Sequence, residues 1–321
     1  SRHSLPSIRL ISWPCSPMPG DASGSGLVTT IGEAWRLARQ RIDRLDARLL
    51  TEHVASCSHA DLLAHPSRPL SARQVRQLEA LVQRRTSGEP LAHLVGSVGF
   101  YGREFRVNAD VLVPRPETEL LVELALERLR ALHEPAVADL GTGSGVLAIS
   151  LKCLCPQARV VAVDLSPAAL AVARMNAALH RVSIRFLEGD WYGPLAGERF
   201  DLIVANPPYV AMSDPHLESG GLPFEPRMAL TDGVAGGDGL DCTRVIVGGA
   251  AMHLLPGGCL LIEHGHDQGE AVRQLLQEAG LAGVATWSDL AGIERVSAGR
   301  VPGSRDRESQ QDGFFLQPDE L

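Results

Sequence analysis

Ala136-Val137-Ala138-Asp139-Leu140-Gly141-Thr142-Gly143-Ser144-Gly145-Val146 is the stretch that decides the fold. A short, mostly apolar run reads as a buried strand, three alternate glycines stop it, and an apolar pattern over 146–152 restarts the chain as a helix. Glycines in such a turn allow positive φ and bring the backbone, with the free N–H groups of the helix start, close to a ligand. The alternation continues downstream. Strands are expected at 160–163, 184–187, 202–205 and 259–263, and helices at 167–179, 239–254 and 268–279. Two later stretches, 284–287 and 295–298, are placed as closing strands. Strand–helix alternation of this length predicts an α/β fold, a doubly wound, mostly parallel, Rossmann-like sheet. Such sheets bind ligands beyond the carboxyl ends of their strands.

Three further strand ends carry chemistry. Asp164 closes Val161-Ala162-Val163-Asp164, where a carboxylate can accept two hydrogen bonds from vicinal ribose hydroxyls. Asp190-Trp191 follows the third strand and supplies an acceptor for an exocyclic amine and an indole to flank a purine. Each acid alone is equally well read as a turn or cap carboxylate. In this order beside a Gly-rich turn they define an adenosine-type site. A dinucleotide fingerprint places glycine at positions 1, 3 and 6, whereas here the sixth position is Val146. A P-loop's Lys and Ser/Thr are also missing, so S-adenosylmethionine suits the set best.

The fourth strand runs into Val204-Ala205-Asn206-Pro207-Pro208-Tyr209. Neither proline has an N–H for a ladder, and each biases the residue before it away from helix. The result is a stiff corner that presents the Asn206 amide, peptide carbonyls and the Tyr209 ring beyond the sheet. A planar –NH2 group, which needs acceptors for its hydrogens and a flat surface to lie on, suits that corner.

At 321 residues, with 45% hydrophobic and 4% aromatic residues, the chain is long enough for one large or two ordinary domains. A disordered extension is expected over 1–28, with a helical bundle over 29–90 that recognises a protein substrate. A β-hairpin linker over 91–113, a methyl-transfer domain over 114–300 and a disordered tail over 301–321 complete the plan. In the bundle, Thr30 and Glu33 have capping-box spacing, and apolar Ile31, Trp35, Leu37, Ala38, Ile42 and Leu45 follow at three- and four-residue steps. The formal charge of −8 argues against a broad phosphate-binding surface, hence against direct nucleic-acid binding. No apolar run reaches the roughly 18 residues of a membrane span. Cys153 and Cys155 lack the spacing of a zinc site, so no metal is expected, and scattered reduced thiols point to the cytoplasm.

Gly141-Thr142-Gly143-Ser144-Gly145, Asp164 and Asn206-Pro207-Pro208-Tyr209 together resemble class I S-adenosylmethionine-dependent methyltransferases that modify planar amino nitrogens. Arg115-Pro116-Glu117-Thr118-Glu119, Gly88-Glu89-Pro90, Asp214-Pro215-His216-Leu217 and Phe224-Glu225-Pro226 narrow the resemblance to the protein-(glutamine-N5) methyltransferases, in their release-factor branch, over about 29–300. The resemblance implies that the methyl acceptor is the glutamine of a Gly-Gly-Gln loop on class 1 peptide chain release factors. It implies cofactor contacts at Gly141, Thr142, Gly143, Ser144, Gly145, Asp164, Asp190, Trp191 and Asn206. Substrate contacts are implied at Asn206, Pro207, Pro208 and Tyr209. Asn206, Pro207 and Tyr209 are the expected catalytic residues: Asn206 Oδ1 and the Pro207 carbonyl accept the hydrogens of the acceptor amide, and Tyr209 packs on its plane. Glutamine methylation of a large-subunit ribosomal protein and adenine-N6 methylation of DNA are the enzymatic alternatives. A non-catalytic cofactor-binding adaptor is the alternative of another class.

Overall fold

The computed structural model describes residues 29–303; the stretches 1–28 and 304–321, with the expectations placed on them, lie outside the described residues. The chain divides into two compact units, the first ending at Val95 and the second beginning at Gly96.

The first unit holds α1 (Ile31–Ala38), α2 (Arg44–Ala55), α3 (His59–Ala64), α4 (Ala72–Thr86) and the short α5 (Leu91–Val95). Its helix starts are written locally. Thr30, Ser58 and Ser71 each form a reciprocal capping box, with Glu33, Asp61 and Gln74 respectively. The apolar faces meet in one core that includes Ile31, Leu50, Leu62 and Leu78. The first helix stops at Ala38 and does not run on to Leu45. Asp43 caps a new helix by accepting from the Leu45 N–H at 2.7 Å, and the Leu45 side chain is half exposed. A capping aspartate outweighs continued apolar spacing there.

The second unit opens with the antiparallel pair β1 (Ser97–Phe100) and β2 (Arg103–Arg106). A 3₁₀ turn, Pro116–Thr118, leads into α6 (Glu119–Leu129). The sheet then forms from β3 (Ala136–Leu140), β4 (Arg159–Asp164), β5 (Arg185–Glu188), β6 (Phe200–Ala205), β7 (Leu254–Glu263), β8 (Ala282–Ser288) and β9 (Glu294–Arg300). Between them lie α7 (Val146–Leu154), α8 (Pro167–His180), α9 (Asp241–His253) and α10 (Gly269–Glu278). The strand order is β5-β4-β3-β6-β7-β9-β8, parallel except where β9 pairs with β7 and β8. All five residues of β3 are buried, as a parallel strand covered on both faces requires. Val137 joins the core on one face with α6 and α7. Ala136, Ala138 and Leu140 join the other with α9 and α10, the period-two division of a strand. The order reverses between β3 and β6, so the crevice at their carboxyl ends is the switch point where ligands bind.

β7 begins at Leu254, five residues earlier than the 259–263 expected from hydropathy, and α9 ends one residue short of the expected 254. Pro256-Gly257-Gly258 reads as a turn, yet it lies within the strand. Leu254 pairs with Phe200, the ladder shifts register, and pairing resumes at Cys259 with Leu202. Gly257 takes φ +83°, and a side chain on Gly258 would lie 2.8 Å from the Phe200 carbonyl. The glycines make the bulge that lets the strand start early.

Candidate active site

The Gly-rich turn sits where β3 hands over to α7. Gly141, Gly143 and Gly145 have φ of +76°, +54° and +85°, the left-handed region that costs other residues roughly 1–2 kcal/mol each. Behind the turn, Asp139 is fully buried; its Oδ2 accepts from the Thr142 hydroxyl at 2.6 Å and the Ala148 N–H at 3.1 Å, while Oδ1 has no partner. Burial pushes its carboxyl up to about 7, against the pull of those donors. Asp164 Oδ2 accepts from the Gly143 N–H at 2.8 Å and Oδ1 from the Ser166 N–H at 2.8 Å, which ties the end of β4 to the turn. Burial raises the Asp164 carboxyl in spite of these bonds.

A cavity of about 280 Å³ opens at these strand ends, close to the roughly 300 Å³ lower end of small-molecule sites. Gly141, Thr142, Gly143, Ser144, Asp164, Asp190, Trp191, Asn206 and Pro208 all line it. Trp191 is reached through Gly189 (φ +158°) and itself has φ +41°, a strained conformation for a bulky residue. A side chain on Gly141 would stand 3.2 Å from the Trp191 ring, so the absence of one lets the indole lie against the turn. Gly145, Pro207 and Tyr209 are not among the lining residues. Gly145 is the left-handed cap of α7, and Pro207 is buried.

The corner after β6 is held from several sides. Asn206 Nδ2 donates to Thr118 Oγ1 at 3.3 Å, whereas Asn206 Oδ1 is shielded from solvent and has no partner. The Tyr209 carbonyl accepts from Gln268 Nε2 at 3.0 Å, and the same amide donates to the Asp238 carbonyl at 3.2 Å. Gly239, φ +78°, packs so closely that a Cβ would lie 2.3 Å from the Tyr209 carbonyl oxygen. Burial and the nearby Glu263 carboxyl push the Tyr209 phenol far above its usual range.

Residues far from the four motifs complete the cavity. Val111, Leu112, Pro114 and Thr118 come from the segment before α6, and Met228, Ala229, Thr231 and Asp232 from the long loop between β6 and α9. That loop is pinned by Glu225, whose Oε1 accepts from Arg115 at 2.5 Å and Oε2 from the Val113 N–H at 2.9 Å. The Arg115-Pro116-Glu117 and Phe224-Glu225-Pro226 motifs thus meet in a part-buried ion pair. Among the described residues no group of three or more His, Cys, Asp or Glu could hold a metal ion, and no helix is long and apolar enough to cross a membrane.

The donors and acceptors fit an adenosine-type sulfonium cofactor. Two carboxylates, an indole and an open backbone turn share one cavity, and Asn206, whose carbonyl oxygen has no partner, also lines it. The profile of the Methyltransferase small domain matches residues 117–219 and that of the PrmC N-terminal domain residues 34–96. The chain is an S-adenosylmethionine-dependent methyltransferase of the α/β class. A release factor glutamine methyltransferase of Xylella fastidiosa is 51% identical over 83% of this chain and 96% of its own length. A protein of the same description from Bordetella pertussis is 52% identical over 82% and 97%. The chain belongs to the release factor glutamine methyltransferase family. A solved methyltransferase from Pyrococcus furiosus aligns over 70% of this chain and 98% of its own at 16% identity and TM-score 0.47.

Proposed function

We propose that the protein methylates the side-chain amide nitrogen of the glutamine in the Gly-Gly-Gln loop of class 1 peptide chain release factors, in the cytoplasm. The helical unit at the N-terminal end contacts the protein substrate. One observation carries the chemistry: Asn206, which lines the cavity, holds its amide by the nitrogen end, through Thr118, and leaves Oδ1 buried and unsatisfied. A buried acceptor without a donor costs roughly 1–3 kcal/mol, a deficit that an incoming N–H removes.

S-adenosylmethionine, when bound, supplies an electrophilic methyl group. Asp164 and Asp190 would hold its ribose and adenine, the turn over 141–145 its amino-acid end, and Trp191 one face of its purine. The rest is positioning. A carboxamide nitrogen is a weak nucleophile because its lone pair is delocalised. Asn206 Oδ1 and the Pro207 carbonyl accept its two hydrogens and fix its direction of approach, an effect worth several kcal/mol. The same acceptors stabilise positive charge growing on nitrogen, as an oxyanion hole does for negative charge. Tyr209 lies beside the corner, and Pro207 and Pro208 keep it stiff. No side chain is assigned as base; the proton leaves to solvent.

Asn206→Ala should lower turnover on purified release factor about 100–1,000-fold, the range for loss of one preorganised polar group, with cofactor affinity changed less than about tenfold. Isotope transfer from labelled cofactor measures the first and calorimetry the second. Label retained on a release factor whose loop glutamine is changed to alanine would refute the assignment of the acceptor.

A further inference from the structure

Gln268 has no part in the mechanism above, yet its side chain holds three stretches of backbone at once. It stands at the start of α10, where its own carbonyl accepts from the Val272 N–H at 2.9 Å, and it is 9% exposed. Its Oε1 accepts from the Gly265 N–H at 2.8 Å. Its Nε2 donates to the Tyr209 carbonyl at 3.0 Å and to the Asp238 carbonyl at 3.2 Å. A backbone N–H can only donate and a carbonyl only accept, so the direction of this amide is unambiguous and both of its hydrogens are used. The Gln268 N–H in turn gives to the Gly265 carbonyl at 3.1 Å, which closes a reciprocal pair between the two residues. The buried His264 ring supports the same carbonyl through Nδ1 at 2.9 Å and meets Ser297 through Nε2 at 2.9 Å.

The grip falls where it can be transmitted. Between Asn206 and Tyr209 lie only Pro207 and Pro208, whose rings fix φ, so the segment has little slack. Holding the Tyr209 carbonyl at one end therefore fixes the Asn206 amide and the Pro207 carbonyl at the other. Asp238, whose carbonyl is held as well, precedes Gly239, which packs on the Tyr209 carbonyl. Two carbonyl oxygens that repel one another are thus turned to a single NH2 group. Glutamate matches the length but has no donor when ionised, and methionine has no donor and only a weak acceptor. We propose that Gln268 is a positioning residue for methyl transfer. Its amide sets the direction in which Asn206 Oδ1 and the Pro207 carbonyl face the substrate nitrogen. The inference rests on the role given to those two groups above.

Steady-state methylation of release factor tests this, with cofactor affinity measured by calorimetry and Tm in parallel. Gln268→Glu and Gln268→Met should each lose at least about tenfold in kcat, since a misplacement of about 1 Å can cost roughly 100-fold. KM for release factor and cofactor affinity should change less than about threefold, the pattern of an interaction felt only in the transition state. Gly265→Ala reaches the clamp from outside. Its Cβ would lie 2.9 Å from Gln268 Oε1, the far end of a side chain that can swing away, so kcat should fall with Tm little changed. In an Asn206→Ala background Gln268→Met should cost less than about threefold, because the amide it positions is gone.

Wild-type kcat in either Gln268 variant would overturn the proposal. So would a loss carried by KM or cofactor affinity, or an equal fold-loss with and without the Asn206 amide. If neither Gln268 variant folds, wild-type kcat in Gly265→Ala would overturn it. Failure of wild-type protein to methylate release factor would instead strike the proposed function.

Discussion

Gly239→Ala is a change outside the cavity that should disable the corner inside it. Gly239 has φ +78°, and its missing Cβ would sit 2.3 Å from the Tyr209 carbonyl oxygen and 3.0 Å from the Ala211 nitrogen. Both are backbone atoms on the segment that continues from Asn206, so neither can rotate aside as a side chain would. The left-handed conformation alone costs an alanine about 1–2 kcal/mol. Forcing backbone apart adds the roughly 1–3 kcal/mol typical of overpacking. The sum is about 2–5 kcal/mol, or a fall in Tm on the order of 5–15 °C for a domain of this size. Any relief moves Tyr209 and strains its 3.0 Å bond from Gln268, so the Asn206 amide shifts and turnover should fall at least tenfold. Gly236→Ala is the control. It lies in the same loop at φ +74° but has nothing within 4 Å of its added Cβ, so it should show the conformational term only. Urea denaturation and isotope-transfer assays on both variants make the comparison. Equal stabilities for the two, or wild-type turnover in Gly239→Ala, would refute the idea that this contact holds the corner.

Other expectations concern the cofactor end. Asp164→Ala removes the proposed acceptor for ribose hydroxyls and the partner of the Gly143 N–H, so cofactor affinity should weaken about 10–100-fold by calorimetry, as loss of a charged hydrogen bond implies. Asp139 holds its proton up to about pH 7 in the folded protein, against roughly 3.9 when unfolded. Its contribution to stability is therefore fully present below about pH 4 and is lost as pH rises through 7. Asp139→Asn carries no such dependence. The Tm difference should thus move in the variant's favour between pH 5 and 9, and a gap constant with pH would exclude the buried acid as its source.

Much of this protein is legible residue by residue because its signals are local. Helix starts follow from a capping side chain and its partner three residues on, at Thr30, Ser58 and Ser71. The strand–glycine–helix unit at 136–154 follows from burial and positive φ, and the halt after Ala205 from two prolines that cannot join a ladder. Local rules mislead where two of them compete. Asp43 ends an apolar stripe, and Gly257-Gly258 bulges a strand that it would otherwise stop.

What only the folded chain decides is which polar groups meet. Thr118 reaches Asn206 across 88 positions, Arg115 reaches Glu225 across 110, and Gln268 clamps Tyr209 across 59. Hydrophobic periodicity says which face of an element is buried; it carries no information about the partner it will face. A side-chain amide has no preferred direction until a neighbouring donor or acceptor gives it one. The sequence by itself therefore determined the sheet, the turn and the stiffness of the Asn206–Tyr209 corner. The direction in which Asn206 points its oxygen was settled only when the turn before α6 was brought against the corner after β6.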